Sequence, residues 1–97
     1  MGVVAEVTDQ VLLAVSLIPP GHVTSYKANG LLVGCGPRVV ARVLAADGGS
    51  VCWWRVVHAD GTIAPLLVER ARAHLASEGV VVRGNRVDFT RHGVSAG

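Results

Sequence analysis

Aromatic residues, cysteine and long apolar runs are scarce in this sequence of 97 residues, which contains four aromatic residues and two cysteines. Two cysteines are too few for a disulfide scaffold, so Cys35 and Cys52 are predicted to be free thiols. No apolar run reaches the roughly 18 residues that cross a membrane, and the N-terminus shows no signal-peptide pattern. We therefore expect a cytoplasmic protein, associated with the nucleoid if bacterial, without a membrane partner.

Metal-ligand spacings are missing as well. The four histidines and two cysteines are scattered, and none of them pair at a helical or Cys-x-x-Cys interval. No glycine-rich segment matches a phosphate-binding loop. We expect neither a metal ion nor another cofactor, and His74, on a predicted helix, is interpreted as a half-buried structural side chain.

Apolar and basic residues are what the chain does contain. Hydrophobic residues make up 51% of the sequence, which favours one folded domain over residues 1–97 with its core at about residues 8–92. Between Gly21 and Val57, four basic residues stand against a single acid, and the tail from Gly79 adds three arginines against one acid. This asymmetry suits a polyanionic partner such as nucleic acid, although a net charge of +2 is also compatible with an ordinary solvated surface.

Four helices and one hairpin are predicted. Apolar spacing together with capping and breaking residues places the helices from Thr8 to about Leu17, Tyr26 to about Val33, Arg38 to about Ala46, and Pro65 to Ser77. The first ten and last four residues are expected to fray. Residues 51–57 are rich in β-forming side chains, and residues 80–83 and 86–89 form a hairpin on the turn Gly84-Asn85. The expected fold is mainly α with a small β component, similar to a winged helix-turn-helix.

The third predicted helix has two distinct faces. One is an apolar stripe of valines and leucine, and the other carries Arg38, Ala41, Arg42 and Ala45. A face of arginines and methyl-sized side chains can approach another surface closely and also carry charge. Since a glycine-containing turn joins this helix to the preceding one, the pattern is typical of a helix-turn-helix. A plain amphipathic surface helix is equally compatible with it.

The two tryptophans are adjacent, at Trp53 and Trp54. On a strand their side chains would face opposite sides. One would then fill the core, and the other would either cap the core or line a pocket and stack on a planar ligand.

Three segments together resemble the DNA-binding domain of the O6-alkylguanine-DNA alkyltransferases. They are residues 18–26 (IPPGHVTSY), 33–38 (VGCGPR) and 53–62 (WWRVVHADGT), and Glu78-Gly79-Val80 resembles a later motif of that domain. Where the enzymes have Pro-Cys-His-Arg-Val, this chain has Cys52-Trp53-Trp54-Arg55-Val56. Trp53 thus replaces the acceptor cysteine, which is the signature of the alkyltransferase-like proteins. The resemblance implies a domain of the alkyltransferase C-terminal type.

The resemblance also implies a protein that reads damaged DNA. Arg38 would fill the space left by a flipped nucleotide, Tyr26 would press on the adjacent phosphate, and Trp53 would form a pocket wall together with Tyr26, Arg55 and Val56. Further DNA contacts would come from Thr24, Ser25, Ala41, Arg42 and Ala45. The partner would be double-stranded DNA with O6-alkylguanine, bound by a monomer that marks the lesion for nucleotide excision repair proteins.

Arg42 and Leu66 are among the positions at which the chain departs from the family pattern. Arg42 stands where the family usually has glycine, in a helix that is meant to approach DNA closely. Some relatives also carry an arginine near the start of the C-terminal loop that contacts the alkylated base. The corresponding place here is close to Leu66, so we expect that contact to be absent.

Alkyl transfer needs a thiolate and a neighbouring base. Glu78 remains from the family's relay, but Trp54 stands at the histidine position, and an indole nitrogen is not a base. Cys52 is one residue away, and in an extended segment its side chain would point to the other face. We therefore predict no catalytic residue. The alternatives are an active alkyltransferase that uses Cys52 and a winged-helix transcription regulator that binds undamaged DNA.

Overall fold

Within residues 3–93, which the computed structural model describes, helices dominate and strands are short. The helices are α1 (Val3–Ser16), α2 (Tyr26–Val33), α3 (Pro37–Asp47), α4 (Val68–Ser77) and α5 (Phe89–His92). The strands are β1 (Thr24–Ser25), β2 (Val56–Val57), β3 (Val82–Arg83) and β4 (Arg86–Val87). Single 3₁₀ turns occupy Gly48–Ser50, Trp53–Arg55 and Pro65–Leu67. The predicted mainly helical fold is confirmed.

Two apolar clusters form the core, and β2 belongs to both. The first cluster lies among α1, α2 and α3 and includes Val11, Val15 and Val40. The second lies between α4 and the hairpin strands and is centred on Leu75 and its buried neighbours. Because adjacent residues of a strand point to opposite faces, Val56 packs in the first cluster and Val57 in the second. Strand β1 runs parallel to β2 and joins the two halves of the domain.

The helix-turn-helix is formed by α2 and α3. The Ser25 hydroxyl accepts a hydrogen bond from the Ala28 N–H at 2.9 Å, which caps the start of α2. Gly34 ends α2 in the left-handed region, with φ at 81°, a conformation that favours glycine. Pro37 is the first residue of α3, where its missing N–H costs no helical hydrogen bond. The predicted limits of these two helices hold to within one residue.

Helix α1 begins earlier than predicted. It starts at Val3, so Thr8 lies inside the helix rather than at its cap, and most of the first ten residues are helical rather than frayed. The physical reason is that the apolar stripe begins one turn before Val11, at Val7, which packs against the first cluster. The predicted fraying of the last four residues concerns positions outside the described range.

The prediction of an extended segment over residues 51–57 is wrong for all but its last two residues. The Trp53 N–H donates to the Val51 carbonyl at 2.8 Å, and the Arg55 N–H donates to the Cys52 carbonyl at 3.1 Å. These local bonds fold the backbone into a turn that a β ladder cannot include. The strand argument for the side chains of Cys52, Trp53 and Trp54 therefore does not apply.

The C-terminal part of the chain follows the prediction only in outline, because its strands are limited to residues 82–83 and 86–87, and Phe89, predicted in a strand, begins α5, a helix that was not predicted. The hairpin strands β3 and β4 are antiparallel, with Gly84 in the left-handed region at the turn. Helix α4 starts at Val68, after the 3₁₀ turn at Pro65–Leu67, and so is shorter at its start than predicted. No helix in residues 3–93 is long and apolar enough to span a membrane.

Candidate nucleic-acid interface

Helix α3 presents a small, charged and exposed face. Arg38, Ala41, Arg42 and Ala45 are all exposed, while Val40 and Val43 on the opposite side are buried in the first cluster. Within the described part of the chain, neither arginine has an ion-pair partner. The two guanidinium groups are therefore free to bind anions, and the alanines between them allow a close approach of another surface.

A cavity of about 580 Å³ lies beside this face. Its size is in the range of pockets that hold small organic groups. The walls come from α2, α3, the Trp53–Arg55 turn and the segment before α4. Its lining residues are Tyr26, Ala41, Leu44, Ala45, Gly48, Gly49, Trp53, Ala64, Pro65, Leu66, Leu67 and Arg70. Because Ala41 and Ala45 belong both to the exposed α3 face and to the cavity wall, the two features are continuous.

The far wall of the cavity pairs an aromatic ring with a cation. The guanidinium carbon of Arg70 lies 5.4 Å from the centre of a Trp53 ring, within the range of cation–π contacts. Arg70 was not predicted as a site residue. Leu66 stands near the position at which some relatives have an arginine, and it is 96% exposed at the rim of the cavity. Arg70, four residues later, brings a positive charge to the same cavity. In the sequence, only the spacing of four residues between Leu66 and Arg70, about one helical turn, could have indicated that Arg70 belongs to the site.

Glu78 anchors the turn that carries the tryptophans. Its carboxylate accepts hydrogen bonds from Trp54 Nε1 at 2.8 Å, from Arg55 Nη2 at 2.6 Å and from the Gly21 N–H at 3.1 Å. Arg55 Nη1 also donates to the Ile18 carbonyl at 2.7 Å. Both carboxylate oxygens are thus occupied by donors from two segments of the chain, the turn at residues 53–55 and the loop at Gly21.

The pKa values of this network follow from its contacts. Burial alone would raise the pKa of Glu78, but the hydrogen bonds from Arg55, Trp54 and the Gly21 N–H outweigh burial, so the pKa of the carboxyl lies below its ordinary value. The hydrogen bond to Glu78 raises the pKa of Arg55. The pair is therefore ionised at neutral pH, and Glu78 holds no proton to give.

His74 stacks on Trp54. The two rings lie 3.9 Å apart with an interplanar angle of 10°. Its prediction as half-buried needs correction, because His74 is exposed on the outer side of this stack.

Cys52 lies away from the cavity. Its thiol donates to the Val15 carbonyl at 3.1 Å and packs against the first cluster. Cys35 also contacts that cluster, and both cysteines are free thiols. Within residues 3–93, no group of three His, Cys, Asp or Glu side chains is placed to hold a metal ion.

The structure brings together part of the predicted site. Tyr26, Trp53, Ala41 and Ala45 line the cavity, and Arg38 and Arg42 lie on the exposed face of the same helix.

Four predicted site residues are placed elsewhere. Arg55 does not line the cavity because Glu78 and the Ile18 carbonyl hold its guanidinium, and Val56 is buried in the first cluster. Ser25 is buried and caps α2, so its hydroxyl is already engaged. Thr24 is half-buried and faces a separate groove between α1 and α2.

Comparison with known proteins gives the family of the chain. The model of the family "6-O-methylguanine DNA methyltransferase, DNA binding domain" matches residues 6–80. The chain belongs to this family. No curated protein sequence matches the chain.

The family assignment agrees with two solved structures from S. pombe. One is described as Atl1 in complex with damaged DNA containing O6-carboxymethylguanine; it superposes with a TM-score of 0.85 at 24% identity and covers 94% of this chain and 96% of that chain. The other, described as ATL in complex with DNA, has a TM-score of 0.79 at 23% identity, with the same coverage. At these identities the likeness establishes the fold. The resemblance found in the sequence is thereby confirmed for the family and for the fold.

Proposed function

We propose that the chain binds double-stranded DNA containing O6-alkylguanine, accepts the damaged nucleotide in the cavity beside Trp53, and leaves the alkyl group in place. The observation that carries this proposal is the position of Trp53. It forms the wall of a cavity that opens next to the exposed α3 face. By the resemblance of the sequence, this is the position at which the family's enzymes have their acceptor cysteine. The similar S. pombe structure is described as a complex with damaged DNA that contains O6-carboxymethylguanine, which fits the same ligand class.

The α3 face would dock in the minor groove. Ala41 and Ala45 leave room for the sugar–phosphate backbone, and Arg42 is placed to neutralise a phosphate. Arg38, in the first turn of α3, would enter the base stack and hold the place of the extruded nucleotide. An inserted side chain of this kind bends DNA away from the protein and widens the groove.

Tyr26 is the first residue of α2 and lines the cavity. Its side chain is buried, and burial raises the pKa of the phenol, so the hydroxyl stays protonated and can donate to a phosphate. The ring also contacts His58, with centroids 5.2 Å apart, which restricts its orientation. We propose that Tyr26 contacts the phosphate beside the flipped nucleotide.

The cavity would stabilise the extruded base. Stacking of a base on an aromatic side chain contributes about 1–3 kcal/mol, comparable to the few kcal/mol that extrusion costs. Trp53 supplies the aromatic surface, and Arg70 supplies donors and a positive charge at the same wall. The exposed Leu66 leaves the rim of the cavity open to alkyl groups of different size.

Alkyl transfer is not expected from this arrangement. The Cys52 thiol bonds to α1, outside the cavity. Glu78 is ionised and surrounded by donors, and Trp54 Nε1 is one of those donors rather than a base. The bound protein, acting as a cytoplasmic monomer, would instead mark the lesion for nucleotide excision repair. The family resemblance supports this last step.

A competition titration tests the proposal. Three duplexes of one sequence would carry guanine, O6-methylguanine or O6-carboxymethylguanine at the central position. We expect both alkylated duplexes to bind at least about tenfold more tightly than the unmodified one, since one such factor is about 1.4 kcal/mol of stacking and contact energy. Equal affinity for all three duplexes would contradict the proposal. Tight binding that depends on the sequence of undamaged DNA would favour a transcription regulator.

A further inference from the structure

One stripe of α4 and its C-cap faces three consecutive residues of the Trp53–Arg55 turn. Arg70, His74 and Glu78 recur at intervals of four residues, so they lie on the same side of the helix. Arg70 lies over Trp53, His74 stacks on Trp54, and Glu78 binds both Trp54 and Arg55. The turn is thus held along its whole length by a single helix.

Trp53 meets this assembly through edge-to-face contacts. Its ring is 5.8 Å from Trp54 at an interplanar angle of 86°, and 5.9 Å from His74 at 80°. Perpendicular contacts at these distances are a favoured geometry for aromatic pairs. Because the rings of Trp54 and His74 are nearly parallel, they form one stacked pair. This pair sets the direction in which the Trp53 ring projects into the cavity.

We propose that His74 is a positioning residue for lesion selectivity. By stacking on Trp54, His74 fixes the plane of the Trp54 ring. The stacked pair in turn holds the Trp53 ring in the orientation that contacts an O6-alkylguanine base. The inference rests on the proposed function, because it assigns His74 an effect on the ligand of that same cavity.

The burial pattern of α4 separates this effect from fold stability. Ala71 and Leu75 carry the core packing of α4 and are almost fully buried, at 1% and 0% exposure. His74, on the neighbouring side of the helix, is exposed. Removing its ring therefore opens no cavity in the core, and the change should act mainly on the orientation of the two indoles.

The first readout needs no DNA. The sequence contains two tryptophans, so the near-ultraviolet circular dichroism of the protein reports chiefly on this pair. Three variants would be compared with the wild type: His74→Ala, His74→Phe, which retains a flat ring, and Glu69→Gln, a change at a side chain of α4 that is 87% exposed. We expect His74→Ala to lose the indole band structure, and His74→Phe and Glu69→Gln to keep it.

The second readout is the ratio of affinities for O6-methylguanine and unmodified duplexes. His74→Ala should lower this ratio about threefold to tenfold, the range of one aromatic pair contact, without changing binding to unmodified DNA. His74→Phe should restore it. An unchanged ratio in His74→Ala, in a wild type that does discriminate, would overturn the inference, as would an unchanged indole spectrum. If the wild type does not discriminate, the proposed function fails, and the inference fails with it even where the spectra behave as expected.

Discussion

The exposed face of α3 and the Trp53–Arg55 turn differ in how their side chains are held. On α3, Arg38 and Arg42 extend from the surface without an ion-pair partner in the described part of the chain. In the turn, the polar groups of Trp54 and Arg55 are bonded to Glu78, and both rings of the tryptophan pair touch His74. The arginines of α3 therefore remain available to bind a ligand, whereas the side chains of the turn are held in place before any ligand binds.

This difference suggests a division of work in the proposed function. A phosphate contact such as the one proposed for Arg42 contributes affinity for DNA of any sequence, whereas a fixed aromatic wall can distinguish one base from another. Changes on α3 should therefore alter how tightly DNA is bound, and changes in the turn should alter stability or the choice of lesion. Variants in the two regions test that separation.

Glu78→Gln should cause the largest effect. It removes the negative charge that compensates Arg55, whose side chain is 12% exposed, and a broken buried ion pair costs about 3 kcal/mol. Urea unfolding would measure the loss in free energy of unfolding. Glu69→Gln is the matched control, since its ion pair with Arg72 is long, at 4.0 Å, and exposed. A loss no larger than that of the control would show that the turn does not depend on Glu78.

Arg38→Ala should weaken binding to O6-methylguanine duplex by about tenfold to hundredfold, because keeping a nucleotide extrahelical costs a few kcal/mol that the inserted side chain helps to offset. Stability should change little, since Arg38 is exposed. Fluorescence anisotropy with labelled duplex gives the affinity. Wild-type affinity in this variant would remove Arg38 from the flipping role.

Acid should weaken the attachment of the Trp53–Arg55 turn to Glu78. The pKa of folded Glu78 is depressed, so its contribution to stability is complete above the ordinary carboxyl pKa of about 4.3 and is lost as the pH falls through the lower folded value. Urea midpoints of the wild type should therefore fall more steeply below about pH 4.3 than those of Glu78→Gln. Parallel pH profiles for the two proteins would contradict this assignment.

Arg42→Ala should have the smallest effect on DNA affinity, and this effect should be similar for damaged and undamaged DNA. Removing one phosphate contact lowers the slope of log affinity against log salt by about 0.9 and weakens damaged and undamaged DNA alike. Titrations at several salt concentrations measure the slope. A selective loss for the alkylated duplex would place Arg42, rather than Arg38, close to the lesion.

The sequence predicts the elements whose limits are set by local chemistry. Ser25 caps α2, Pro37 opens α3 and Gly84-Asn85 turns the hairpin, and each of these signals acts within a few residues. The start of α1 was predicted wrongly because threonine is a favoured N-cap residue and Thr8 was taken as the cap. The packing of Val7 against the first cluster instead extends the helix toward the N-terminus.

The candidate site was predictable only in part, for the same reason. Motif resemblance located Tyr26, Arg38 and Trp53, and the pattern of α3 located its alanines. The contacts of Arg70, His74 and Glu78 with the Trp53–Arg55 turn join segments about 20 residues apart in the sequence. They could not be predicted while residues 51–57 were interpreted as a strand. The resemblance implied that Arg55 and Val56 share a pocket wall with Trp53, but neither of them lines the cavity in the structure.

The most direct test of the central claim is the intact mass of the protein after incubation with O6-methylguanine duplex at saturating concentration. The account predicts that the DNA keeps its methyl group and that the mass of the chain is unchanged. A chain heavier by one methyl group, located at Cys52, would show that the protein removes the damage it binds.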